Sequence, residues 1–320
     1  LQNQESSCFA NSALQALLSH DQFDSLILPH QDFPLLDEQI KLIEHLSEIK
    51  WAPNSNAREE ARKQLLEHVR AHTGDFAAGQ QHDAAQFLEY ILINLPSYSK
   101  LTWKFQIKSW CDICGFQTRP DPMLFIRVQP SPSLRSSIEQ FSGQQIPCVC
   151  GNPTIGHHLL EQGPQNEAPK ILFVSISIFT NQSTKIQQEM EIEPAIEFQG
   201  HRWSPKAIIE HHGQTTNQGH YVAFLRSGQG WLKILDNTLT SLVRPPRVSP
   251  YIVVFERFAS EQPIPALPIN SSTVNGTHHN IPSTTTTTTS TTKKKNRVSY
   301  NAPKIKKKIW RQEKDTRPNR

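Results

Sequence analysis

The chain opens on Leu1-Gln2-Asn3-Gln4-Glu5-Ser6-Ser7-Cys8-Phe9-Ala10-Asn11-Ser12-Ala13-Leu14-Gln15-Ala16-Leu17. Counted from Ala10, apolar residues fall at Ala13, Leu14, Leu17 and Leu18, the offsets 3, 4, 7 and 8 of a buried helix face. Cys8 therefore lies at or just before a helix N-terminus. Unpaired backbone N–H groups there carry partial positive charge and favour thiolate over thiol. That makes Cys8 a candidate nucleophile; a cysteine used as core packing also fits the position.

A nucleophilic thiol needs a base, and the sequence offers one far downstream in Gly219-His220-Tyr221-Val222-Ala223-Phe224-Leu225. The polar, glycine-containing stretch 211–219 reads as a loop, and His220 as the start of a strand leaving it. After turn residues Gly228 and Gly230, Trp231-Leu232-Lys233-Ile234-Leu235-Asp236-Asn237 reads as a second strand. His220 and Asp236 would then face each other near the open end of an antiparallel hairpin. A lone histidine at a strand end is more often structural. Paired with an acid and set against a helix-start cysteine, it matches what thiol proteolysis needs: a base for the thiol proton and a group that holds the imidazole's tautomer.

These segments resemble the ubiquitin-specific protease family, papain-like cysteine deubiquitinases whose cysteine box reads roughly G-L-x-N-x-G-N-T-C-Y-M-N-S-x-L-Q-x-L. The histidine box of that family, H-x-G-x(n)-G-H-Y-x-A-[YF] followed by Trp and an acidic pair, is similar to the region around His220. Gln80-Gln81-His82-Asp83-Ala84-Ala85-Gln86-Phe87-Leu88 resembles its middle Q-Q-D-A-x-E-F-L box, and Pro250 to Arg257 its closing strand. The resemblance spans residues 1–257. It implies Cys8 as nucleophile, His220 as general base and Asn3 as a side-chain donor to the oxyanion. It also implies Asp83, Gln86, Gly219 and Tyr221 along the channel for the modifier's C-terminal tail. The departures are specific. Four residues after Trp231 stands Leu235, which cannot orient an imidazole, so the third role falls to Asp236. Gln86 replaces a glutamate, Glu5-Ser6-Ser7 replaces Gly-Asn-Thr, and Ile178 replaces an arginine.

Of five cysteines, four form two close pairs, Cys111-x-x-Cys114 and Cys148-x-Cys150. Four thiolates on two short knuckles suit a tetrahedral structural Zn2+. The family's fingers region, here about residues 101–180, often carries such pairs. His157 and His158 are alternative ligands, and inert thiols or a disulfide remain the other readings of the four.

Helical spacing covers residues 37–51, 57–72 and 86–95, with Asp83 resembling an N-cap for the third. Strands are expected at 123–128, 171–179, 190–198, the His220 hairpin and 250–257; Pro194 weakens the third of these. Helices first and strands later give an α+β chain. The resemblance refines this to a papain-like cysteine protease fold with helical thumb, β palm and zinc-tipped fingers. No apolar run approaches the ~20 residues of a membrane span. Leu1 already lies inside the motif, so the sequence carries no information about a leader.

From residue 258 the composition changes to Pro-, Ser- and Asn-rich sequence and a nearly pure threonine run over 283–292, which reads as a disordered linker. Residues 293–320 carry twelve Lys and Arg against Glu313 and Asp315, a net +10, and residues 258–292 carry only Glu261, a net −1, which leaves −5 on residues 1–257 of the chain's +4. The basicity is a tail property. It suits nuclear import or sequence-independent nucleic-acid binding, or only solubility. The function expected is a monomeric intracellular isopeptidase, cytoplasmic or nuclear, cutting after the C-terminal glycine of ubiquitin. The alternatives are action on SUMO or another ubiquitin-like protein, or a catalytically weak ubiquitin-binding scaffold.

Overall fold

The computed structural model describes residues 6–27, 35–141, 145–148, 150–160, 168–181, 184–215, 218–235, 238–243 and 247–258. The linker and basic tail expected beyond 258 lie outside them, as do Asn3 and Asp236.

Helices come first. They are α1 (Cys8–Leu18), α2 (Phe23–Ile27), α3 (Asp37–Trp51), α4 (Ser55–Thr73), α5 (Ala84–Ile93) and α6 (Tyr98–Leu101). The expected amphipathic face of α1 buries Ala10, Ala13, Leu14 and Leu17. Asn54 caps α4 by accepting from the Ala57 N–H at 2.9 Å. Gly74 ends the helix in the left-handed region at φ 69°, where a side chain is disfavoured. The pattern 57–72 thus lengthens by a turn, because the cap lies outside the apolar stripe that defined it.

The fingers follow as β1 (Trp103–Cys111), β2 (Gly115–Met123), β4 (Gln145–Pro147) and β5 (Pro153–Leu160) in the order β2-β1-β5-β4; β3 (Phe125–Val128) and α7 (Leu134–Glu139) intervene in sequence. The chain continues through β6 (Ile171–Ile176), β7 (Phe179–Asn181), β8 (Thr184–Lys185), β9 (Ile196–Phe198), β10 (His201–Thr215), β11 (Gln218–Ser227), β12 (Gly230–Leu235), β13 (Thr238–Leu242) and β14 (Pro250–Arg257). The palm sheet runs β13-β12-β11-β10-β14-β6-β3, with β9 on β10. All its described pairings are antiparallel except β3 with β6.

Three strand expectations change. The run 190–198 forms a strand only at Ile196–Phe198, with Met190 in an isolated bridge to Val248, because Pro194 offers no N–H to a ladder. The run 123–128 breaks at Leu124, and 171–179 breaks after Ile176. The stretch 211–219, read as a loop, is strand on both sides: β10 reaches Thr215 and β11 begins at Gln218, with the register shifting between His212 and Thr215. Polar composition suggested a loop there. Pairing along an exposed hairpin end needs no apolar side chains, so composition misled.

Trp103, Phe105, Phe141, Phe198 and Trp203 form one aromatic cluster, with centroids 5.2–6.4 Å apart, where the first finger strand meets β9 and β10. Offset and edge-to-face rings of this kind add to the area they bury. Among the described residues no helix is long and apolar enough to cross a membrane.

Candidate active site

Cys8 is the first residue of α1 and only 4% exposed. Its carbonyl accepts from Ser12 Oγ at 2.6 Å, and the Ser7 carbonyl accepts from the Asn11 N–H at 3.0 Å. Phe9 locks the helix in place. Its ring lies 5.8 Å from Phe76, 5.2 Å from His82 and 5.5 Å from Phe87, so the cysteine box and the middle box share one aromatic cluster.

Helix α1 packs on β11, which carries Gly219, His220 and Tyr221. Burial, then the Asp83 carboxylate, pushes the Tyr221 phenol well above its ordinary range, and the charge of Cys8 adds to the effect. His220 is half-buried, and its Nε2 is shielded from solvent. The cysteine and histidine boxes meet, on two elements packed against each other.

Asp83 and Tyr221 both have structural work. Asp83 caps α5, accepting from the Ala85 N–H at 2.7 Å and the Gln86 N–H at 3.4 Å, while its other oxygen accepts from Tyr251 Oη at 2.6 Å. The ring of Tyr221 is buried against His211 and Tyr251, with centroids 4.7 and 6.2 Å away. Gln86 is exposed in the first turn of α5. Leu235 ends β12 and is 39% exposed.

His211 is a residue that reading the sequence passed over. It is fully buried, and its Nε2 lies 3.4 Å from Gln81 Nε2 of the middle box. Burial, then the charge of Lys185, lowers its pKa to about 4, so the imidazole is neutral over the physiological range. The first histidine of the H-x-G element was the available signal. Glycine explains how the ring fits. A Cβ on Gly219 would lie 2.8 Å from His211 Nε2, and one on Gly213 would lie 3.0 Å from its Cε1. Beside it, His212 stands opposite His220 in the β10–β11 register and pairs with Glu210 at 2.7 Å.

At the far end of the fingers, the thiols of Cys111, Cys114, Cys148 and Cys150 lie within 4.8 Å of one another. Cys111 and Cys150 are 3.6 Å apart, against an edge of about 3.8 Å for a ZnS₄ tetrahedron with bonds of about 2.3 Å. The one-residue spacing of the second pair therefore does not prevent convergence. The donor set fits a soft tetrahedral ion. His157 and His158 lie on β5 opposite Lys108 and Ile107.

Three comparisons place the chain among known proteins. The ubiquitin carboxyl-terminal hydrolase family matches residues 1–255, and the chain belongs to that family. Ubiquitin carboxyl-terminal hydrolase 23 of Arabidopsis thaliana is 22% identical over 284 residues, covering 76% of this chain and 33% of that protein. The chain thus spans about a third of the length of that relative. Among solved structures, the SAGA DUB module of Ubp8, Sgf11, Sus1 and Sgf73 bound to monoubiquitin is similar, with TM-score 0.64, 20% identity and 80% and 68% of the two chains covered. The same module bound to ubiquitin aldehyde gives TM-score 0.62 at 18% identity, covering 80% and 69%. The fold is that of the ubiquitin-specific protease catalytic domain.

Proposed function

We propose that the chain is a thiol isopeptidase that hydrolyses the bond between the C-terminal glycine of ubiquitin and a lysine amine. One observation carries this reading: α1 delivers Cys8 to the strand that bears His220, in a chain of the ubiquitin carboxyl-terminal hydrolase family. His220 takes the Cys8 proton, and the sulfur attacks the glycine carbonyl. Asn3 and backbone N–H groups hold the oxyanion, a donor worth about a hundred- to a thousandfold in rate in comparable sites. The C–N bond breaks as His220 returns the proton to the leaving amine. Water, deprotonated by His220, then cleaves the thioester and restores the thiol. Asp236 orients the imidazole in place of Leu235. Gly219 lets the modifier's tail approach the backbone closely, and Gln86 faces the same tail from α5.

Cys111, Cys114, Cys148 and Cys150 would hold a Zn2+ that supplies no chemistry and ties the β1–β2 turn to the segment preceding β5.

The test is labelling of the full chain with C-terminal electrophilic probes of ubiquitin and of SUMO, beside Cys8→Ala and Asp236→Ala. A ubiquitin adduct that disappears with Cys8→Ala and drops sharply with Asp236→Ala is expected. A SUMO-only adduct would overturn the substrate, and no adduct from folded protein would leave a ubiquitin-binding scaffold.

A further inference from the structure

Arg62, in α4, is 1% exposed, and nothing in the chemistry above employs it. A buried guanidinium is costly unless its charge and its donors are met. Here Glu59 meets the charge, and Glu59 and Ser7 together accept from all three of its nitrogens. Its Nε donates to the Glu59 oxygens at 3.0 and 3.1 Å, and its Nη2 bonds the same carboxylate. Its Nη1 donates to Ser7 Oγ at 3.0 Å, across 55 residues of sequence.

Ser7 occupies the N-cap of α1, yet its hydroxyl makes no cap hydrogen bond to that helix. An N-cap serine ordinarily accepts from the backbone two or three residues on. This one is turned to Arg62 instead. The residue before it, Ser6, has φ 58°, a left-handed conformation disfavoured for a residue with a Cβ and held only when its surroundings impose it. Two hydrogen bonds within α1 hold the turn from the helix side, Asn11 N–H to Ser7 and Ser12 Oγ to Cys8. The Arg62 bond anchors it from another element. The Glu59 carboxylate, three residues back on the same helix, fixes the plane of the guanidinium and so the direction from which Ser7 is held.

We propose that Arg62, clamped by Glu59, is a positioning residue for catalysis: it holds the Ser7 hydroxyl and thereby sets the direction in which Cys8 Sγ leaves the start of α1. The inference rests on Cys8 being the nucleophile. A thiol displaced by even about 1 Å from the line of attack loses about a hundredfold in rate. A residue that merely packs α4 against the rest of the core would change melting temperature and leave turnover at permissive temperature alone.

The experiment uses the full chain with Ser7→Ala, Ser7→Thr, Arg62→Met and the Ser7→Ala/Arg62→Met double variant. It reads melting temperature, kcat and KM on ubiquitin bearing a C-terminal fluorogenic amide, and the rate at which iodoacetamide alkylates Cys8. Ser7→Ala is expected to stay folded with kcat about ten- to a hundredfold lower and KM within about twofold. Ser7→Thr, which returns the hydroxyl, recovers most of the loss. The double variant is no worse than the poorer single one, because both break one link. If Arg62→Met does not fold, Ser7→Ala, which removes a single oxygen, decides alone with its threonine counterpart. A folded Ser7→Ala with wild-type kcat, or a loss that threonine does not rescue, would overturn the proposal. A wild-type chain with neither turnover nor a Cys8 adduct would instead overturn the nucleophile reading, and the proposal with it.

Discussion

Gly219→Ala should be among the most damaging single-methyl additions to the palm, and the geometry says by how much. Gly219 has φ 148°, and a Cβ built there lies 2.2 Å from the His212 carbonyl oxygen and 2.8 Å from His211 Nε2. Forcing a residue with a side chain into such a backbone costs about 1–3 kcal/mol. The collision adds about 1–3 kcal/mol of overpacking, because the nearest atom is backbone and cannot rotate away. Alanine also stiffens the unfolded chain, returning about 0.4–1 kcal/mol. The net loss is about 1–5.6 kcal/mol, a large share of an ordinary domain's stability. Gly228→Ala is the matched control: φ is 57°, but nothing lies within 4 Å of where the added methyl would sit, so only the left-handed cost of about 1–2 kcal/mol applies, less the same offset. Urea unfolding of the two variants, with the slope checked for constancy, separates collision from strain. Equal losses in the two would refute the close-approach argument. Survivors of Gly219→Ala at low temperature should also turn over poorly, since the displaced backbone is the one that carries His220.

The remaining expectations concern pH, a hydrogen bond and the fingers. His20 is 1% exposed, and burial, then the Lys206 charge, lowers its pKa from 6.5 to about 3. Between those values the unfolded chain binds the extra proton, so His20 makes stability fall with falling pH by about 1.4 kcal/mol per unit, and His211, lowered to about 4, adds a similar slope; urea titrations from pH 7 to 5 should show the sum, and His20→Gln should remove about half of it. Tyr251→Phe removes the phenol that Asp83 accepts at 2.6 Å and should cost about 1.5–3 kcal/mol, read as a lower urea midpoint; no change would mean the pair is idle. Metal analysis should find one zinc per chain, lost with Cys114→Ser. In that variant hydrogen exchange should rise in β4 and β5 while α1 and α5 stay protected.

How much of this was legible in the sequence depends on the kind of interaction. The start of α1 and the span of α3 were readable because one periodic apolar face decides each of them, and β14 from its resemblance to the family's closing strand, a continuous apolar run buried on both faces. The convergence of four thiols was suggested by the two close pairs together with the family's fingers pattern, with His157 and His158 as alternative ligands. The Arg62–Glu59–Ser7 link was not, because a charged pair three apart on a helix looks like any solvated face until burial is known. His211 was hidden for a related reason: only the register of β10 on β11 reveals that two glycines leave a slot for its ring. The polar run 211–219 was misjudged because an end of a hairpin can pair through its backbone whatever its side chains are. Asp83 shows the reverse case. Its capping role was visible in sequence, whereas its bond to Tyr251 joins residues 168 positions apart.

The place of β14 in the palm has a consequence for how the molecule is made. It is the last strand of the sheet in sequence, yet it lies between β10 and β6 and pairs with both. A ribosome must therefore release residue 257 before the two halves of the palm can join. Until then β6 and β10 each present an open edge flanked by apolar side chains, a template for pairing with other nascent chains. Synthesis interrupted a few residues early would yield a chain with every catalytic box translated and no closed sheet to mount them on.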